Sequence, residues 1–130
     1  MKKIILMLTV LLTVLAPAVF AAENSPEPAG ADYTTTQGLS ALMKSGAPYL
    51  LLDVRTPEEF RAGYIPGALN IPYDRLPGAL PETPKDTPIV LYCRSGNRAG
   101  VAQRALEKAG YTRVFNFGGL SRWTGPVERP

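Results

Sequence analysis

Histidine is absent from these 130 residues, and cysteine occurs once, at Cys93. The first absence means that any chemistry here proceeds without an imidazole base. The second excludes an internal disulfide, so the fold must hold without covalent staples. A lone thiol then has two readings, a small inert core residue or a reactive group whose chemistry is used. Long basic tracts are also missing. The net charge is +3, and two of the cations, Lys2 and Lys3, stand at the very start of the chain. That leaves no basic footprint for nucleic acid.

What is present begins with a targeting pattern. Lys2 and Lys3 precede an apolar run over residues 4–15 and a small-residue region over 16–22. This is the layout of a secretory signal peptide, expected over residues 1–21, with Val19 and Ala21 at the positions read by the signal peptidase. Residues 4–22 also approach the ~20 needed to cross a bilayer, so retention as an anchor is the alternative. Pro17 and its small neighbours favour processing, and no cysteine follows the run to accept a lipid. The expected location is periplasmic, with no membrane attachment after cleavage. Residues 22–31, rich in Pro, Ala and small polar side chains, are expected as a flexible leader. Residues 32–130 are expected to form one domain.

Within that domain the pattern alternates. Thr35 or Thr36 can cap a helix carrying Leu39, Leu42 and Met43, stopped at Gly46. A continuous apolar run from 49 to 54 reads as a strand covered on both faces. Thr56-Pro57-Glu58-Glu59 opens a second helix with a cap, a proline at its first position and a capping-box glutamate. A short strand is expected over 68–71, then a short helix or turn over 73–80. Residues 88–92 form the clearest buried strand, with Cys93 at its carboxyl end. A helix follows with Val101, Ala102, Ala105 and Leu106 on its apolar face, ended by Gly110. A last strand over 113–117 leads to Gly118-Gly119 and a short helical segment bearing Trp123. The predicted fold class is α/β, a central and mostly parallel sheet with helices on both faces. In such sheets ligands gather beyond the carboxyl ends of the strands. Asp53 and Arg55, Cys93, and Gly118-Gly119 all fall there.

Cys93-Arg94-Ser95-Gly96-Asn97-Arg98 has the makings of a thiolate site. Its backbone amides can curl into an anion-binding nest, the following helix adds the positive end of its dipole, and Arg94 and Arg98 add full charges. Ser95 and Gly96 leave space around the sulfur. Loop length separates the possible chemistries. Cysteine-dependent phosphatases place an arginine after five intervening residues, a ring wide enough for a phosphoryl group. Here Ala99 occupies that position, so the shorter loop suits attack on sulfur better than on phosphorus.

Three ordered motifs carry a resemblance. Residues 53–60 (DVRTPEEF) with 63–72 (GYIPGALNIP), the loop 93–98 (CRSGNR), and the stretch from Gly110-Tyr111 through Gly118-Gly119 to Trp123 resemble the signatures of a rhodanese homology domain. The resemblance is to small periplasmic single-domain sulfurtransferases of the thiosulfate:cyanide type. It implies a parallel sheet flanked by helices, no metal and no cofactor, and a two-step exchange in which Cys93 is the nucleophile. Thiosulfate or another sulfane donor would load Cys93 as a persulfide, and cyanide, a small thiol or a thiol protein would remove the sulfur. The amides of Arg94, Ser95, Gly96 and Asn97 would hold the persulfide, Arg98 would shape the loop or balance its charge, and Arg94 would steer an anionic donor. Asp53 and Arg55 would lie beside the loop, either in a direct role or as an ion pair fixing the strand end. Tyr64 departs from the resemblance, which commonly has histidine there. A pre-ionised thiolate needs no such base. A monomer is expected. The competing readings are a carrier that delivers sulfur to a protein partner, and an inactive interaction domain.

Overall fold

Capping decides where the first helix starts. Thr35 accepts the Gly38 N–H at 3.0 Å and so becomes the N-cap of α1 (Thr36–Ser45), while Gly46, at φ 75°, closes the helix in the left-handed region. The computed structural model describes residues 25–76 and 78–130. The signal peptide expected over 1–21 lies outside the described residues. After α1 come β1 (Leu50–Asp53), α2 (Pro57–Ala62), β2 (Leu69–Asn70), β3 (Ile89–Cys93), α3 (Asn97–Lys108) and β4 (Val114–Gly119), then a single 3-10 turn, Leu120–Arg122. Thr56 caps α2 as its sequence predicts, accepting the Glu59 N–H at 3.2 Å. The stretch 73–79 is turn and bend at its described positions, the second of the two alternatives expected there.

The four strands form one sheet in the order β2-β1-β3-β4, with every pairing parallel. Strand alternation then sorts the apolar side chains to two faces. Leu51, Val90, Tyr92 and Phe117 pack with Leu39 and Leu42 of α1, whereas Leu52, Ile89, Leu91 and Cys93 pack with Ala99, Ala102 and Leu106 of α3. Helices therefore cover both faces, as expected. Burial of each such Leu or Ile contributes about 2 kcal/mol, and this double-sided core stands in for the missing disulfides. Val101 corrects the sequence reading: it is 42% exposed, because the inward face of α3 follows Ala99, Ala102 and Leu106 and Val101 falls to the side of it.

At the opposite end of the sheet from Cys93, Glu27 of the 22–31 segment is held by Arg113 at 2.5 and 2.7 Å and by the Tyr33 hydroxyl at 2.7 Å. These contacts, Arg113 first, hold its carboxyl down to about 2.

Candidate active site

Three strand ends converge because the parallel register brings them level. Asp53 pairs with Tyr92, and Cys93 with Gly119. Cys93 is fully buried, and the Gly96 N–H donates to its Sγ at 2.9 Å. Gly96 is also the N-cap of α3, at φ 98°, a conformation that glycine adopts without strain. The sulfur thus sits at the positive end of a twelve-residue helix. Arg94, Ser95 and Asn97 are exposed around it, and Arg98 is part-buried.

The closing glycines fit against this loop. A Cβ on Gly119 would stand 2.2 Å from the Arg94 carbonyl oxygen, and one on Gly96 would stand 3.2 Å from the Gly118 Cα. Backbone meets backbone here, which leaves no room for a side chain.

The two arginines of the loop have different surroundings. Arg98 forms a two-pronged pair with Glu59 at 2.6 and 3.0 Å, tying the start of α3 to the start of α2. The Arg98 guanidinium, first among the causes, holds the Glu59 carboxyl down to about 2, and the Glu59 hydrogen bond raises Arg98 in turn. Because the folded value is depressed, this contribution to stability is complete above the unfolded carboxyl value of ~4.3 and is lost as pH falls through the folded one. Wild type should therefore exceed Glu59→Gln in urea midpoint at neutral pH, with the gap closing between about pH 5 and pH 2. A gap constant with pH would contradict the pairing. Arg94 makes no such pair among the described residues, and it borders an open cleft of about 540 Å³ together with Arg55, Glu59, Ala62, Leu120 and Ser121.

Asp53 and Arg55 form a buried pair. The Arg55 Nε and Nη2 donate to the Asp53 carboxylate at 2.5 to 3.0 Å, its backbone N–H donates at 3.0 Å, and Nη2 also reaches the Gly63 carbonyl at 2.6 Å. Burial opposes the charge on Arg55, yet Asp53 outweighs it and the guanidinium pKa is raised. The pair braces the end of β1, and Arg55 also forms part of the cleft wall. The Asn70 side-chain amide donates to the carbonyls of both residues at 3.0 Å. Tyr64 stacks on Phe60 at 4.1 Å and pairs its backbone with Glu128. Among the described residues, no group of three or more Cys, Asp or Glu side chains is placed to hold a metal ion.

Sequence reasoning missed several contributors. Leu120 and Ser121 form a cleft wall, inside the closing motif but between the glycines and the Trp123 that were singled out from it. Asn116 donates through Nδ2 to the Gly96 carbonyl at 3.1 Å and accepts the Gly118 N–H at 2.9 Å. Asn116 lies inside the closing motif, where its local mark was a polar residue within an otherwise apolar strand.

Comparison with known proteins decides the family. The rhodanese-like domain model matches residues 35–125. This chain belongs to the rhodanese-like family. It is 42% identical over 89 residues to a sulfurtransferase of Allochromatium vinosum, covering 68% of this chain and 83% of that one. It is 38% identical over 108 residues to the thiosulfate:glutathione sulfurtransferase of Homo sapiens, covering 72% and 93%. Among solved structures, a rhodanese with anions from E. coli superposes with a TM-score of 0.55 at 34% identity, over 63% of this chain and 99% of that one. The rhodanese-like fold and sulfurtransferase kinship expected from the three motifs are thereby established.

Proposed function

We propose that this rhodanese-like domain transfers a sulfane sulfur from thiosulfate to a thiophilic acceptor through a persulfide on Cys93. The observation that carries the reading is the Gly96 N–H aimed at Cys93 Sγ at the head of α3. Anionic sulfur gains from both the amide and the helix dipole. In the first step the Cys93 thiolate attacks the outer sulfur of thiosulfate. A Cys–S–S bond forms, the S–S bond of the donor breaks, and its electron pair leaves with sulfite. In the second step cyanide or a thiolate attacks the outer sulfur and the electron pair returns to Cys93. No oxidant, reductant or base is required. Exposed Arg94 at the cleft rim steers the dianionic donor, and the Asp53–Arg55 pair holds the wall it enters by. Export with removal of residues 1–21 is part of the same proposal, supported by the composition of that segment.

Intact mass tests these points together, on the full chain expressed in a host that exports it. The protein should weigh as a chain beginning at Ala22. After thiosulfate it should gain about 32 Da, one sulfur held by nucleophilic catalysis; cyanide should remove the gain, and Cys93→Ala should never show it. Loading should also slow as ionic strength rises, since steering is screened over ~10 Å at 0.1 M salt. A reduced, folded sample that gains no mass would sink the thiosulfate reading and favour a carrier loaded by another donor.

A further inference from the structure

Asn116 stands where two features of the fold meet. Between Leu91 and Tyr92 the β3–β4 register shifts, so that Leu91 pairs with Asn116 but Tyr92 pairs with Gly118. Such a bulge re-aims side chains near a site. Asn116 consequently reaches across to the active loop, donating from Nδ2 to the Gly96 carbonyl at 3.1 Å, while its Oδ1 takes the Gly118 N–H at 2.9 Å. An amide in this orientation satisfies both partners, because it offers a donor to the one and an acceptor to the other.

The Gly96 carbonyl has one other donor, the Gly100 N–H at 2.9 Å in the first turn of α3. Two donors on one carbonyl fix the plane of the peptide joining Gly96 to Asn97. That peptide is trans, so the Asn97 N–H points opposite to the carbonyl, out of the helix end and away from Gly100. Fixing this plane also fixes the torsions of Gly96, whose own N–H lies on the sulfur at 2.9 Å. Glycine at φ 98° has no side chain to do this for itself.

We propose that Asn116 is a positioning residue for sulfur transfer: it clamps the Gly96–Asn97 peptide so that the Gly96 amide stays aimed at the anionic sulfur of Cys93. The catalytic part of the inference rests on the persulfide reading above, whereas the clamp itself does not. Asn116 touches neither substrate nor sulfur. Its effect falls on a step that needs that amide aligned rather than on the capture of thiosulfate at the cleft.

Two variants of the full chain test it. Asn116→Ala removes both hydrogen bonds, and Asn116→Asp keeps an acceptor for the Gly118 N–H but replaces the donor to Gly96. In both, kcat for thiosulfate-to-cyanide transfer should fall about tenfold, equivalent to about 1.4 kcal/mol of transition-state stabilisation, with the thiosulfate KM within about twofold of wild type. A folded variant whose kcat is unchanged, or whose loss lies wholly in KM, overturns the catalytic part. Amide hydrogen exchange on the reduced protein needs no thiosulfate and so separates the two proposals. The Gly96 amide should exchange at least about tenfold faster in Asn116→Asp while Val90 and Leu91 keep their protection. Equal Gly96 rates overturn the clamp even if wild type takes up sulfur, and failure of wild type to take up sulfur leaves this arm to decide it. Should Asn116→Ala not fold, Asn116→Asp carries both readouts.

Discussion

Arg55→Ala is expected to destabilise the domain by about 3–5 kcal/mol, the range for removing one partner of a buried ion pair. Asp53 is fully buried, and most of its carboxylate partners come from Arg55: the Nε, Nη2 and backbone N–H of that residue. The backbone N–H survives the substitution, but the guanidinium does not, and the Gly63 carbonyl loses its donor at the same time. An isolated domain is stable by only ~5–15 kcal/mol, so a loss of this size is a large fraction of the whole. Urea denaturation should show the midpoint falling with little change in slope. Lysine should not rescue, since a point charge cannot repeat the forked contact to the carboxylate and the Gly63 carbonyl. Replacing both partners, Asp53→Leu with Arg55→Met, should recover most of the stability, because the penalty arises from the stranded charge rather than from loss of the pair. A loss below about 1 kcal/mol for Arg55→Ala would show that water reaches Asp53 and that the pair is not a buried brace.

The largest effect on activity without loss of the nucleophile is expected from Gly119→Ala. Gly119 has φ −99°, which any residue adopts, so its conformation does not require glycine. Space does. The added methyl would lie 2.2 Å from the Arg94 carbonyl oxygen and 3.0 Å from its carbonyl carbon, atoms of the backbone that cannot swing aside. The loop must shift, and with it the Gly96 amide that faces Cys93. Displacement of about 1 Å costs on the order of a hundredfold in rate, so kcat/KM for sulfur transfer should fall by about that factor. Overpacking of this kind costs about 1–3 kcal/mol of stability, which leaves the protein folded at room temperature. Gly110→Ala is the comparison. Gly110 has φ 99° with nothing within 4 Å of an added Cβ, so backbone strain is its only penalty and activity should be unchanged. Equal activity in the two variants would rule out contact with Arg94 as the reason for glycine at 119.

Much of this arrangement was legible because it is local. Thr56, Pro57 and Glu59 announce α2 within four residues, and the run Ile89–Cys93 is buried at every position as its composition predicts. The loop after Cys93 could be read as an anion nest because adjacent amides and a helix start suffice for that reading. What escaped was set by pairing across the sheet. Glu59 was read as a capping residue, which it is, but its partnership with Arg98 spans 39 positions and no local pattern encodes it. Asn116 acquires its reach from a register shift against β3, which depends on how two strands meet. Val101 fits a helical apolar stripe in sequence, yet a domain of this size covers only part of such a stripe, and the sheet selects Ala99, Ala102 and Leu106 instead. Asp53 and Arg55 were visible as neighbours two apart, and their mutual burial became visible only once the fold brought the Gly63 carbonyl onto Arg55.

The sheet order β2-β1-β3-β4, all parallel, has a consequence for the chain before it is folded. Parallel neighbours cannot be joined by a tight hairpin, so no pair of these strands can zip locally, and each must wait for a long crossover to close. Gly119 and Asn116 meet the loop of Cys93 only after β3 and β4 have found each other. Until then the Gly96 amide is free to turn away from the Cys93 sulfur. On the persulfide reading proposed above, the reactivity of this sulfur is acquired at the end of folding, and its appearance marks a finished molecule.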